Sequence, residues 1–591
     1  MNYNFKPKLY NAVTIALISA GFIPTTFAEV NDLDVNNPNG TTITNSATGN
    51  AVDLDNGGSF TVINNGTISA SATNNAYGVN ADSSTTITTL SNTKNITATA
   101  SNSNGNGIGI GASTLTSLTN SGTISGTAAN DLGRGFSLHA GGTITNLTNS
   151  GTISGTAGDD NGNGVYVTSS STLTNLTNSG TISGTSVDDF GFGVYVSSTS
   201  TLTNLTNSGT ISATAGGDNG FGIQVKVAST LTNLTNSGTI SGTAGGDNGF
   251  GIQVDASTLT NLTNSGTISG NSNSAGLGLY VAATSTLTTL TNSGTISGTA
   301  VAGFGFGVMV DDGSTLTNLT NSGTISGTAY DEGYGVRVNS NSTLTNLTNS
   351  GTISGTAADD KGYGVNVGST STLTNLTNTG TITGTATTSA FDIKVGSASN
   401  LVNLNNLQSD LSYNGRLPRN YKTIIQGSNY GSLAISGTPT ESSTGDTVYT
   451  PFAGSSNIGV YIPSGSYTNV MTGMPDANLH STVSGTLTGD GTDSVGTVNW
   501  ALTETSSGSN NWNLTTSGGS YTYIGKDNTQ SAINQTTKNV GGVFQNVSAG
   551  GNFANMTTYD CDLFNGRENC ISVGGRVTES SGKDTSIVLV A

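Results

Sequence analysis

Residues 171–199 read STLTNLTNSGTISGTSVDDFGFGVYVSST, and at Ser200 the phrase STLTNLTNSG begins again. What decides the fold is the spacing of its apolar positions. Leu173, Leu176, Ile182, Val194 and Val196 are set apart by Thr, Ser, Asn and Gly. The Ile of the Thr-Ile-Ser or Thr-Ile-Thr motif recurs at 124, 153, 182, 211, 240, 268, 296, 325, 353 and 382, a spacing of 28 or 29. Fainter copies reach back to Ile96 and Ile68. A disordered chain has no reason to keep such a period.

Each repeat holds three short β-like pieces. They are Gly164-Val165-Tyr166-Val167, then Thr172 to Leu176, then Gly180 to Ser183. Gly, Asn, Asp and Ser bound each piece, as they bound strands. No helical period is sustained. This pattern predicts an all-β fold, a right-handed parallel β-helix solenoid of about thirteen coils from Val52 to Val395. In one copy Val165, Val167, Leu173, Leu176 and Ile182 point inward. A single coil cannot enclose them, so coils must stack like on like. At the sheet spacing of about 4.8 Å the rod is roughly 60 Å long.

The same spacing predicts columns. Asn178, Asn207, Asn236, Asn264, Asn292, Asn321, Asn349 and Asn378 fall at one corner, where each amide can bond the coils above and below. Phe192, Phe221, Phe250, Phe306, Tyr334 and Tyr363 precede the strand-one Gly and are expected to stack beside the core. Thr-x-Thr recurs with its middle residue inward, so that Thr172, Thr174, Thr201, Thr203, Thr230 and Thr232 belong to an outward array. That array is a candidate ligand-binding face, and it resembles the ice-binding face of β-solenoid antifreeze proteins. Acidic residues mark the turn after the third strand: Asp159, Asp160, Asp188, Asp189, Asp218, Asp247, Asp331 with Glu332, and Asp359 with Asp360. Carboxylates stacked at coil spacing could take Ca²⁺. The ridge breaks near Asn271 and Val301, and the AGGDNG copies do not match the nonapeptide of calcium β-rolls. Solvated turns are the main reading, and no cofactor is expected beyond a weak Ca²⁺ possibility at Asp159, Asp160, Asp188 and Asp189.

The rest of the chain supplies context. It has 591 residues, only 8% charged, with a net charge of −18. That balance excludes nucleic acid and anionic membrane surfaces as partners. Lys6 and Lys8, the apolar run from Ala12 to Ile23 and the small residues around Thr26-Phe27-Ala28 read as a cleaved export signal. Residues 401–526 lose the repeat and gain Pro418, Pro439, Pro451, Pro463 and Pro475 with Trp500 and Trp512. A solenoid must hide its last coil, so this region is expected to be a β-rich cap. Ile533, Val540, Phe544 and Val547 sit at helical spacing. Cys561 and Cys570 are expected to close a disulfide in an oxidising compartment, two idle thiols being the alternative.

The NSGTISG repeats on an exported chain resemble the passenger of a bacterial autotransporter or a filamentous-haemagglutinin-type adhesin. Residues 556–591, with YDCDLFNGRENCISVGGRV, resemble the opening of an autotransporter translocator barrel. The resemblance implies a leader at 1–28, a parallel β-helix at 29–400, a passenger cap at 401–526 and a helical linker at 527–555. Residues 556–591 are then an incomplete barrel start. Such a barrel needs about a dozen strands of 9 to 11 residues, and about two are present, so the sequence is read as a fragment or a truncated product. The resemblance also implies the cell surface or outer membrane, and contact with the barrel-assembly machinery.

Catalysis is not expected. The acids repeat in nearly every coil, whereas a catalytic site must be unique. Arg134 and His139 are the only unusual polar pair in the rod, and His139 is expected to face solvent. The functional expectation is a surface-displayed, non-catalytic adhesin for host-cell or surface glycans, matrix, or other bacterial cells. A structural surface-layer component is the alternative from another class, with ice or crystal-surface binding and a polysaccharide-active enzyme behind it.

Overall fold

The computed structural model describes residues 49–54, 57–426, 428–453, 464–488 and 497–517, with short strands Val30–Asn31, Val35–Asn37 and Thr42–Asn45 before them. It also describes the strands Val573–Ser580 and Lys583–Val590, an antiparallel pair. The expected leader, the helical linker, Cys561 and Cys570 lie outside the described residues.

The repeat region is an all-β parallel solenoid of the right-handed type, about fourteen turns long. One coil runs Gly162–Val167, Thr172–Asn178 and Thr181–Ser186, and these three strands feed three separate sheets. The third sheet contains 13 strands, from Thr42–Asn45 to Thr381–Thr385. The extra coil lies at the N-terminal end, where Val30 pairs with Val52, Val35 with Val62 and Thr42 with Thr67. Its Thr42-Ile43-Thr44 stands 25 residues before its partner at Ile68, off the period of 28 or 29, so the period does not reveal it.

The core is a set of apolar columns. Val165, Val167, Leu173 and Ile182 are all 0% exposed, and Leu176 is 1%. Each fully buried side chain of this size contributes about 1.5–3 kcal/mol. Beside the core the cross-section narrows. A β-carbon at Gly184 would overlap the Phe192 carbonyl, so the third and first sheets press together backbone to backbone there.

The Asn column is longer than the repeat phrase suggests. It begins at Asn64 and ends at Asn406. Asn178 Nδ2 donates to Asn207 Oδ1 at 2.8 Å, to the Gly180 carbonyl at 3.2 Å and to the Thr210 carbonyl of the next coil at 3.0 Å. Asn178 and Asn207 are fully buried. The ladder therefore closes the corner within a coil and joins it to the next.

Pairing does not stop at residue 400, although the repeat does. After Asn400–Asn406 the chain returns straight to the first sheet at Leu411–Arg416, then alternates between first and second sheets through Asn420–Gln426, Leu433–Thr440 and Val448–Ala453. The third sheet ends at Thr385, and side chains cover its open edge. Gln408 Oε1 accepts from the Ile382 N–H at 2.8 Å while its Nε2 donates to the Ile382 carbonyl at 2.9 Å. Asp392 accepts from the Gly384 N–H at 3.1 Å. One amide and one carboxylate thus stand where a further strand would pair, which blunts an edge open to other chains. Ser484–Thr488, Thr497–Glu504 and Trp512–Ser517 finish the region as an antiparallel meander, with Trp512 donating to the Met474 carbonyl at 2.9 Å.

Two outcomes follow. Asn207→Ala leaves buried amide and carbonyl groups of three coils unpaired, and should cost about 1–3 kcal/mol. Hydrogen exchange should show the loss concentrated in the coils on either side. Gln408→Ala uncovers the third-sheet edge and should increase end-to-end association, read by analytical ultracentrifugation.

Candidate binding faces of the solenoid

Three outward surfaces carry the candidate residues. On the second sheet, Thr172, Thr201 and Thr230 stand in register, with Leu173, Leu202 and Leu231 inward beside them. Thr174, Thr203 and Thr232 are half-buried on the same face. The pairing skips Thr174 and resumes at Asn175, which also faces outward. Asn175 Nδ2 donates to Asn146 Oδ1, Asn204 to Asn175, and Asn233 to Asn204, each at 2.9 Å. These coils therefore present Thr, Thr, Asn and Thr rather than a plain Thr-x-Thr lattice. Strict alternation hid this second Asn column, which Ser117 and Thr289 interrupt where the Asn178 column continues unbroken.

The acidic turn lies between the third and first sheets. Asp159 and Asp188 are exposed, while Asp160 and Asp189 are half-buried. Partial burial, and then the facing Asp218, hold the Asp189 carboxyl above the ordinary range. Burial raises Asp160 too, with Asp131 adding to it against the Asn161 amide. Asp131 was not recognised in the sequence because Leu132 and Arg134 break its local pattern. Among the described residues no group of three or more His, Cys, Asp or Glu is arranged to hold a metal. Where the ridge lapses, Val301 and Phe304 are exposed instead. Farther along, Lys361 bridges Glu332 and Asp360, the latter at 3.2 Å.

The first sheet has the most varied outer face. Its pairing skips the middle Gly of each strand, as at Gly193 between Phe192 and Val194. Phe192 consequently turns outward with Tyr195, their ring centres 4.7 Å apart, while Val194 and Val196 turn inward. Phe192 stacks on Phe221 at 5.1 Å and Phe221 on Phe250 at 4.8 Å, both nearly parallel. Leu277 interrupts the stack, which resumes with Phe306 on Tyr334 at 5.2 Å. Arg337 lies 4.7 Å over the Tyr334 ring. The rings thus spend their faces on one another and on cations.

Arg134 and His139 lie on this same face, nearer the N-terminal end. Arg134 sits 4.5 Å over the Tyr166 ring and donates to Asn106 Oδ1 at 3.3 Å. His139 is half-buried rather than freely exposed, because it leans over Gly111 toward Asp82. Burial lowers its pKa, and Asp82 opposes that shift.

The raised carboxyls set a pH dependence. At low pH they are protonated in both folded and unfolded chains and carry no penalty. As pH rises through the carboxylate range the unfolded chain ionises them first, so stability falls toward neutrality. Asp189→Asn should raise the thermal midpoint at pH 7 and leave it unchanged at pH 3.

The chain matches no known protein family, and no curated protein matches its sequence.

Proposed function

We propose that the chain is an exported, non-catalytic adhesin of the autotransporter-passenger kind. Residues 1–28 act as its leader, and residues 556–591 belong to the start of a translocator barrel in the outer membrane. The observation that carries this reading is the second-sheet face. There Thr172, Thr201 and Thr230 stand over one another, and the outward Asn175, Asn204 and Asn233 are joined into a continuous row. A ligand with repeating hydroxyl or amide groups meets the same contact at successive coils. Contacts too weak to hold alone then add through effective concentration. Surface glycans, matrix proteins or the rods of neighbouring bacteria present such repeats. The acidic turns keep the rod soluble and act without a cofactor.

The test is adhesion of the purified chain to immobilised matrix and to cells. Thr201, Thr203, Thr230 and Thr232 point outward, so replacing all four with Tyr should change stability by no more than about 0.5 kcal/mol each. Adhesion should fall tenfold or more. Undiminished adhesion by the folded variant would remove this face as the binding surface.

A further inference from the structure

The last coil of the third sheet opens onto a cleft. In the coils before it, the glycine two residues after each ladder Asn has its carbonyl fully engaged. The Gly323 carbonyl accepts from the Asn321 amide at 3.2 Å and from the Thr352 N–H of the next coil at 2.8 Å. The Gly351 carbonyl accepts from Asn349 at 3.2 Å and from Thr381 at 2.9 Å. At Gly380 the pattern stops. The Asn378 amide turns instead to Asn406 and Gln408, and the chain crosses from there to the first sheet at Leu411. The Gly380 carbonyl consequently takes no hydrogen bond among the described residues. Thr381 is exposed, whereas Thr324 and Thr352 of the same column are half-buried.

The cleft measures about 620 Å³, within the range of roughly 300–1,000 Å³ usual for small-molecule sites. Gly380 and Thr381 line it together with Asp410 of the crossing segment and Asn429, Tyr430 and Asn469 of the turns that follow. Asp410, Asn429 and Asn469 are exposed. Ser432 donates to one oxygen of the Asp410 carboxylate at 3.3 Å, and the other oxygen takes no bond among the described residues. The side-chain amides of Asn429 and Asn469 are likewise without partners among them. Tyr430 is half-buried and held in place, its hydroxyl donating to the Thr468 carbonyl at 3.0 Å and its ring set edge-on to Tyr467 at 5.3 Å.

The mixture of groups indicates the ligand. A carbonyl and a carboxylate accept, and two amides both donate and accept, which complements alcohols. Among the described residues no Lys, Arg or His lines the cleft, and Asp410 repels an anion. The fixed Tyr430 ring supplies an apolar surface for C–H groups. We propose that this cleft binds a neutral oligosaccharide, one per chain, its hydroxyls donating to the Gly380 carbonyl and Asp410 and accepting from Asn429 and Asn469. The site is separate from the second-sheet face and does not rest on it.

Calorimetry on the full chain tests this directly. The probes are tetrasaccharides of glucose, galactose, mannose and N-acetylglucosamine, with glucuronate-containing ones and spermidine for comparison. At least one neutral probe should bind with a stoichiometry near one. Thr381→Trp, which fills the cleft, should abolish that binding, and Asp410→Asn should weaken it tenfold or more. If Thr381→Trp fails to fold, Asp410→Asn carries the test, because Asn tolerates the left-handed φ of 52° at this position. Thr210→Trp is the control, since Thr210 begins a third-sheet strand several coils earlier and does not line the cleft. It should leave binding unchanged. No neutral probe binding, stronger binding of the anionic probes or of spermidine, or an equal loss in Thr210→Trp would each overturn the proposal. Adhesion by the second-sheet face is scored separately with the Thr→Tyr variant. A chain that adheres but ignores every neutral probe refutes the cleft alone.

Discussion

Everything in this solenoid depends on each residue lying over its counterpart one coil away, and the buried Asn corner enforces that condition most strictly. Asn178 bonds its own turn at Gly180 and the following coil at Asn207 and Thr210. Inserting one residue there would strand all three contacts in a corner that water does not reach. The segment from each ladder Asn to the following Ile accordingly keeps one length in every copy of the repeat phrase. The 28-residue coils shorten elsewhere. One drops a residue before Thr258, where Ala256 alone takes a left-handed φ of 46°. Another does so between Ser272 and Gly276. Variation is absorbed at the two corners that lack the Asn column, and the strands on either side stay in register.

That division explains how much was legible in advance. The inward columns, the three strands per coil and the Asn corner follow from a period of 28 or 29, because the core tolerates no exception to it. Alternation alone failed wherever pairing skips a residue. It missed the outward turn of Asn175 and could not place Phe192 on the outer face with Tyr195. The first coil escaped because Ile43 stands off the period, 25 residues before Ile68. Gln408 escaped for a deeper reason. Its role as a substitute for a strand exists only after the third sheet has ended, and no local pattern announces that.

The outer faces show what a regular interior allows. Once Val, Leu and Ile fix the inside, outward positions can change without disturbing the stack. One column of the first sheet passes through Tyr77, Asn106, Arg134, Asn163 and Phe192 in successive coils. The second sheet does the opposite and holds Thr and Asn nearly constant. One scaffold thus carries a repetitive surface and a singular one, and the two suit different tasks. The repetitive face offers nearly the same groups at successive coils, while the first-sheet face differs from one coil to the next.

The coils have a mechanical consequence. Neighbouring coils are joined along the rod axis by hydrogen bonds that lie nearly parallel to a pull on its ends. Such bonds are loaded a few at a time, and the rod peels from an end instead of shearing as a block. Each coil released frees 28 or 29 residues, or at most about 92–104 Å of extended chain at about 3.3–3.6 Å per residue. A tether built this way pays out in equal lengths under load and can rewind onto the remaining coils, which still present the matching edge.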